Sequence, residues 1–232
     1  MIELKGISRH YKDGREKITV LEDVNLNVQQ GEFVSILGPS GSGKSTLLNI
    51  LGLLDKPNAG TYLLSGEDMT GHRGGRLAVV RNRHIGFIFQ QFMLVPRLTV
   101  SENVALPLQY TRLSGRERCR RVDEALEQVG MLARKKDVPA NLSGGQKQKV
   151  AIARAIATSP SLLLADEPTG NLDIGSKQEV VTILKQLHEQ GRTIMLVTHD
   201  HDLARVADRI LYVRDRKLVP YGEVRGKEVG LG

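Results

Sequence analysis

The sequence predicts an α/β fold with a parallel-sheet core, an N-terminal antiparallel β subdomain and an inserted α-helical subdomain. Three observations carry this expectation. Short apolar runs at 33–37, 85–89, 162–165 and 193–197 read as buried strands, and helical spacing follows several of them. The first strands alternate instead: Ile2 and Leu4 with Glu3 and Lys5, then Val24, Leu26 and Val28 with Asp23, Asn25 and Asn27, so each has one polar face. Between roughly 91 and 158 strand patterns give way to helix starts.

In chain order, Gln30-Gly31 turns the chain into the buried run Phe33-Val34-Ser35-Ile36-Leu37. Residues 47–54 follow as a buried helix, and 60–66, with Tyr62, Leu63 and Leu64, add a strand. Ile85–Phe89 is another strand, ending at Gln90. Beyond it, Phe92, Met93, Leu94 and Val95 are consecutive apolar residues in a loop, which is either core or a docking surface. Thr99-Val100-Ser101-Glu102 and Ser114-Gly115-Arg116-Glu117 read as capping boxes, and Val122, Ala125, Leu126 and Val129 recur at helical spacing. Strand character returns at 162–166. A helix then carries Val180, Val181, Leu184 and Leu187 on one face. The strand at 193–197, a short helix near 202–207 and two short strands to about 219 close the pattern. The organisation expected is one domain over 1–232: a core with its β subdomain at 1–90 and 159–220, a helical insertion at 91–158, and a mobile tail at 221–232.

Length allows one large domain with a substantial core. The 33 basic and 26 acidic residues give a net charge of +7, spread rather than held in one tail. That balance fits a solvated surface, nucleic acid, anionic lipid or a polyphosphate ligand. Cys119 is the lone cysteine, so no intramolecular disulfide forms, and a reducing compartment fits. No apolar run approaches the ~18 residues of a membrane span. The start, Met1-Ile2-Glu3-Leu4-Lys5, has no signal-peptide core. A cytoplasmic domain is expected, carried to any membrane by a partner.

Gly38-Pro39-Ser40-Gly41-Ser42-Gly43-Lys44-Ser45-Thr46 reads G-x-x-x-x-G-K-[ST], between a strand and a helix. That is the context of a phosphate-binding P-loop. Glycines let the backbone approach a polyphosphate, and successive amides and the helix N-terminus face it with partial positive charge. Lys44 would bridge the outer phosphates, and Ser45 would offer its hydroxyl to Mg2+. A glycine-rich turn is the bland alternative. Asp166 ends an apolar strand and suits a Mg2+ held through water; Glu167 is placed to orient or deprotonate an attacking water. Alone, that pair reads more readily as a strand-end turn. Leu142-Ser143-Gly144-Gly145-Gln146 opens a second glycine-rich helix start, hence a second anion site. One nucleotide does not need two such cradles, whereas two copies facing each other would use both.

Leu142–Gln146 resembles the LSGGQ signature of the ATP-binding cassette (ABC) ATPases, and the resemblance runs from about residue 2 to 219. It implies a P-loop NTPase with a RecA-like core. It implies that Gln90 joins the core to the helical subdomain and helps hold Mg2+, that the loop Gly170-Asn171-Leu172-Asp173 crosses to the other subunit, and that His199 contacts the γ-phosphate. Tyr11 falls where the family places an aromatic ring against adenine. Each has a plain alternative: a strand-end amide for Gln90, an ordinary strand-end histidine for His199, a helix cap for Asp173, packing for Tyr11. Residues 167–173 and 85–92, with Leu94 and Leu98, are most similar to cassettes of the macrolide-exporter and lipoprotein-release type (MacB/LolD-like). Lys147 and Lys149 depart from the commoner glutamine and arginine, and lysine loses the planar fork.

The resemblance implies an ATP-hydrolysing transporter subunit that dimerises around two Mg-ATP and drives a separate integral membrane permease, with export or release favoured. Lys44, Ser45, Gln90, Asp166, Glu167 and His199 would act on the nucleotide in cis. Leu142, Ser143, Gly144, Gly145, Gln146 and Asp173 would act across the dimer. The rival is a soluble cassette ATPase acting on nucleic acid or ribosomes, which the basic charge permits. Such proteins typically carry two cassettes or a long coiled coil, so no nucleic-acid partner is expected.

Overall fold

A computed structural model describes residues 1–14 and 16–223. Along the chain come β1 (Ile2–Asp13), β2 (Glu16–Val28), β3 (Phe33–Leu37), α1 (Lys44–Leu51), β4 (Ala59–Leu64), β5 (Glu67–Asp68) and α2 (Gly75–His84). Then follow β6 (Ile85–Phe89), α3 (Val100–Ala105), α4 (Gly115–Gln128), α5 (Gly144–Ile156), β7 (Leu162–Asp166) and α6 (Ile174–Glu189). The chain closes with β8 (Thr193–Val197), α7 (His201–Ala204), β9 (Arg209–Arg214) and β10 (Lys217–Pro220). Of the tail expected to be mobile, 224–232 lie outside the described residues. The described part includes Tyr221, whose hydroxyl lies 3.1 Å from His201 Nδ1.

The chain divides into two compact units, Met1–Ala78 with Thr193–Gly232, and Val79–Arg192. The segment 91–158 falls wholly inside the second. In the first unit, β2, β1, β4 and β5 form an antiparallel sheet in that order. Its apolar face follows from the alternation: Ile2, Leu4, Val24, Leu26 and Val28 are all buried, with Ile2 opposite Val28 and Leu4 opposite Leu26. The hairpin of β1 and β2 extends well beyond those apolar ends, with register shifts between Leu4 and His10, and brings Tyr11 opposite Ile18. The same unit holds β3, parallel to β8 on one side and to β9 on the other, with β10 antiparallel to β9. All five residues of β3 and of β8 are buried, the polar Ser35 and Thr193 among them, as fits strands covered on both faces.

In the second unit β6 and β7 pair in parallel, and α5 packs on β6. There α3, α4 and α5 pack together and α6 packs against α5. The box at Thr99 is complete, with both Thr99 and Glu102 bonding back. At Ser114 only half forms: the hydroxyl accepts from the Glu117 amide, while the Glu117 carboxylate is taken by Arg120 and Arg121. The buried face of α6 is Val180, Ile183, Leu184 and Leu187, so Ile183 replaces the expected Val181. Asn103 is fully buried and satisfied: its amide bonds the carbonyls of Val95, Leu98 and Thr99 and accepts from the Val95 N–H, folding the preceding loop onto α3.

Candidate functional site

The phosphate loop hangs from the carboxyl end of β3. Ile36 lies opposite Val197 of β8, and the Thr198 N–H donates to the Ile36 carbonyl at 3.1 Å. Gly38 and His199 therefore leave neighbouring parallel strands at the same edge, where open α/β sheets bind ligands. Gly38 is buried, Pro39, Ser40 and Gly41 form an exposed rim, and Gly43 is buried again. Gly43 caps α1 at φ 103°, with no side-chain cap, and the first turn of α1 carries no acidic residue. A Cβ there would lie 3.0 Å from the Val20 carbonyl, so glycine is required by both torsion and space. The Lys44 side chain is buried, and its ammonium donates to the Gly38 and Pro39 carbonyls at 2.8 Å each, placing the charge across the loop mouth. Ser45, one residue on, is exposed, Thr46 half-buried, and the buried Ser42 hydroxyl finds no partner among the described residues. An uncapped helix start with a cation folded across it is what a bound polyphosphate needs.

His199 is exposed, beside the buried Thr198, whose hydroxyl accepts from the Asp200 N–H at 3.0 Å. Asp200 then caps α7 by accepting from the amides of Asp202 and Leu203. Tyr11 stands on the β1–β2 hairpin, 39% exposed, in the same unit as the phosphate loop and His199.

The second unit gathers the other residues. Phe89 lies opposite Asp166 in the β6–β7 register, so Gln90 and Glu167 leave adjacent strands at one level. Glu167 takes a left-handed backbone, φ 46°, a strained state for a non-glycine residue of a kind that clusters at functional sites. Its carbonyl accepts from the Gly170 N–H at 3.1 Å, and a Cβ on Gly170 would come within 2.7 Å of Gln90 Nε2. Asn171 donates to the Gln90 carbonyl at 3.3 Å. Asp173 caps α6: its carboxylate accepts from the Ser176 amide at 3.0 Å and the Ser176 hydroxyl at 2.7 Å. Those bonds, the amide's first, hold its carboxyl below the usual range.

The signature start is built differently from the phosphate loop. Ser143 accepts from the Gln146 amide at 3.2 Å, and Gln146 accepts from the Ser143 amide at 3.0 Å, a complete capping box. Leu142 and Gly145 are buried, Ser143 is exposed, and Gly144 and Gln146 lie between. A Cβ on Gly145 would lie 2.6 Å from Ser176 Cβ, so α5 and the start of α6 touch at that glycine. Lys149 keeps an ion pair, 2.5 Å to Glu179, without the arginine fork.

Two residues that the sequence reading passed over organise this unit. Gln148, fully buried on α5, donates to the Pro168 carbonyl at 2.8 Å and the Phe89 carbonyl at 3.4 Å, next to Glu167 and Gln90. Gln148 stands between Lys147 and Lys149, ahead of the apolar run that begins at Val150, so its neighbours gave no signal of burial. Arg154, on the same helix, donates through its two Nη atoms to the carbonyls of Met93 and Phe92, both left-handed at φ 51° and 49°. Burial pushes its pKa down.

The donor types fit Mg-ATP. Hydroxyl, amide and carboxylate oxygens are the hard ligands Mg2+ takes, and the phosphate loop suits the polyphosphate. Among the described residues no three His, Cys, Asp or Glu side chains form a metal cage. No helix among the described residues is long and apolar enough to cross a membrane. The ABC transporter family matches residues 21–170. The chain is 51% identical to the ABC transporter ATP-binding protein YvrO of Bacillus subtilis over 219 residues, 94% of this chain and 96% of that one. It is 47% identical to the macrolide export ATP-binding/permease protein MacB of Shigella flexneri, covering 94% of this chain but 34% of MacB. The ATP-binding cassette MJ0796, solved as a post-hydrolysis dimer bound to ADP and Pi, superposes with a TM-score of 0.86 at 45% identity, covering 94% of this chain and 96% of that one. With the phosphate loop, the signature helix and the strained Glu167 in place, this chain belongs to the ABC transporter family, as a MacB/LolD-like ATP-binding and ATP-hydrolysing cassette.

Proposed function

We propose that this cassette binds Mg-ATP, pairs with a second copy around two nucleotides, and drives an integral membrane permease from the cytoplasmic face. The observation that carries the reading is the start of α1, where Gly43 leaves the helix uncapped and Lys44 lies across the loop. Lys44 neutralises the outer phosphates. Ser45, Gln90 and Asp166 would hold Mg2+, which would supply charge neutralisation at the phosphoryl oxygens. Glu167 orients and deprotonates the attacking water, and His199 contacts the γ-phosphate. The signature residues Leu142–Gln146, with Asp173, close on the nucleotide of the partner copy. Catalysis rests on positioning and electrostatics. The dimers solved for MJ0796 support the pairing, and the ATP-binding/permease naming of MacB, of which this chain spans about a third, supports the permease and export. Nothing among the relatives supports the nucleic-acid alternative. Met93, 55% exposed on its left-handed turn, is a contact offered to the permease.

Glu167→Gln tests the reading. ATP still binds, turnover falls by about 10²–10⁴, and a transient dimer becomes long-lived in Mg-ATP by sedimentation. Adding Ser143→Arg abolishes that dimer and spares monomeric ATP binding. Unchanged turnover in Glu167→Gln removes the general-base role.

A further inference from the structure

Arg9 and Tyr11 lie two residues apart on β1, so both side chains leave one face of the strand. The Arg9 guanidinium sits over the Tyr11 ring, 4.4 Å from its centroid. Its Nε and Nη2 donate to the two carboxylate oxygens of Asp55 at 2.9 and 2.7 Å. The Tyr11 hydroxyl donates to Asp55 Oδ2 at 2.7 Å. Asn58 completes the arrangement, accepting from Arg9 Nη1 at 3.2 Å and from the His10 N–H at 2.9 Å. Arg9 and Asp55 are mostly buried, with side chains 18% and 22% exposed, while Tyr11 keeps 39% of its surface. One face and the hydroxyl edge of the ring are therefore fixed, and the ring still presents area to solvent.

The tie has a definite place. Tyr11 pairs with Ile18, and Val20, two residues further along β2, packs against Gly43. Tyr11 thus stands on the same hairpin, a short step along β2 from the phosphate loop. Asp55 follows the other end of α1, and its N–H donates to the Asn49 carbonyl of that helix at 3.1 Å. The helix that begins at the phosphates carries at its far end the carboxylate that holds the ring.

We infer that Arg9 and Asp55 are positioning residues for the nucleotide base. They lock Tyr11 at a fixed span from the phosphate loop, so that its remaining face stacks on the purine while the phosphates lie at the start of α1. The inference rests on Tyr11 as the base contact. A ring held in advance loses little freedom when the base arrives, and a guanidinium over the ring is attracted by its π face.

The test separates base from phosphate. Binding of ADP and of pyrophosphate is measured calorimetrically for the full chain and for Tyr11→Ala, Tyr11→Phe, Arg9→Gln and Asp55→Asn. Tyr11→Ala weakens ADP about tenfold, as loss of a base stack does, and leaves pyrophosphate unchanged. Arg9→Gln and Asp55→Asn weaken ADP about three- to tenfold, again without touching pyrophosphate. Tyr11→Phe, which keeps the ring and loses the bond to Asp55, falls between wild type and Tyr11→Ala. If Tyr11→Ala weakens ADP while Arg9→Gln and Asp55→Asn do not, the positioning role is overturned and the base contact stands. If Tyr11→Ala leaves ADP unchanged, the base contact itself falls. Equal loss for ADP and pyrophosphate in Arg9→Gln would show a tie that supports the helix alone, and the positioning role is overturned.

Discussion

Two helices in this chain begin on glycine-rich turns, and the chain finishes the two beginnings in opposite ways. At α1 the cap is Gly43, left-handed and without a side chain, and a lysine ammonium reaches back over the loop. At α5 the cap is Ser143, bonded reciprocally with Gln146, so side chains of the helix itself satisfy its start. The first start carries no side-chain cap, and a buried cation lies over it instead, bonded to the Gly38 and Pro39 carbonyls. The second is complete as it stands, with only its exposed Ser143 edge offered outward. A glycine-rich helix start is thus two different objects, and the residue at the cap decides which.

That contrast can be broken at either end. The largest effect is expected from Lys44→Ala, which removes the charge from the open start. ATP turnover should fall by about 10² or more, while the unfolding temperature without nucleotide changes little. A large loss of apo stability would mean that the ammonium chiefly holds the loop together. Next comes Gly145→Ala. The new methyl must move Ser176, and overpacking of this kind costs about 1–3 kcal/mol. Denaturant unfolding measures it, and combining the change with Ser176→Gly should recover part of the loss.

Ser143→Ala is smaller. It deletes a helix cap worth about 1 kcal/mol, a drop of about 2–4 °C for a chain of this size. ATP affinity of the monomer should not move, because this start is closed by the chain itself. The smallest effect concerns pH. The Asp173 carboxyl is held low by the Ser176 amide and hydroxyl, so its capping contribution is complete above the unfolded pKa, near 3.9, and fades as pH falls through the lower folded value. Carbon-13 titration of Asp173 should show a midpoint below 3.9; one at or above it would show that the cap does not form in solution.

The strands buried on both faces were readable almost to the residue, because an unbroken apolar run has few other uses: β3, β6, β7 and β8 fall where their sequences place them. The hairpin arm was not. Residues 9–19 are mostly polar, so no apolar periodicity marks the strands where Tyr11 sits, and register shifts between Leu4 and His10 precede it. Helix α2 also escaped, since it buries only Leu77 and leaves no periodic apolar face. In the candidate site, the glycine-rich stretches 38–46 and 142–146 are local patterns, and α1 and α5 do begin at them. What sequence could not show is how each is held. The Arg9–Asp55 pair joins residues 46 apart, and Gln148 reaches carbonyls 59 and 20 residues away. Side-chain bonds of that span have no periodicity to read.

Gln148 has a mechanical consequence. Its amide pins the root of α5 to the ends of β6 and β7, and its own Oε1 has no donor among the described residues. Freeing the amide would leave further buried groups without partners, at about 1–3 kcal/mol each. No hinge is therefore built in at that point. Moving the start of α5 away from the backbone beside Gln90 and Glu167 therefore means breaking these two bonds, which lie one turn from the exposed Ser143.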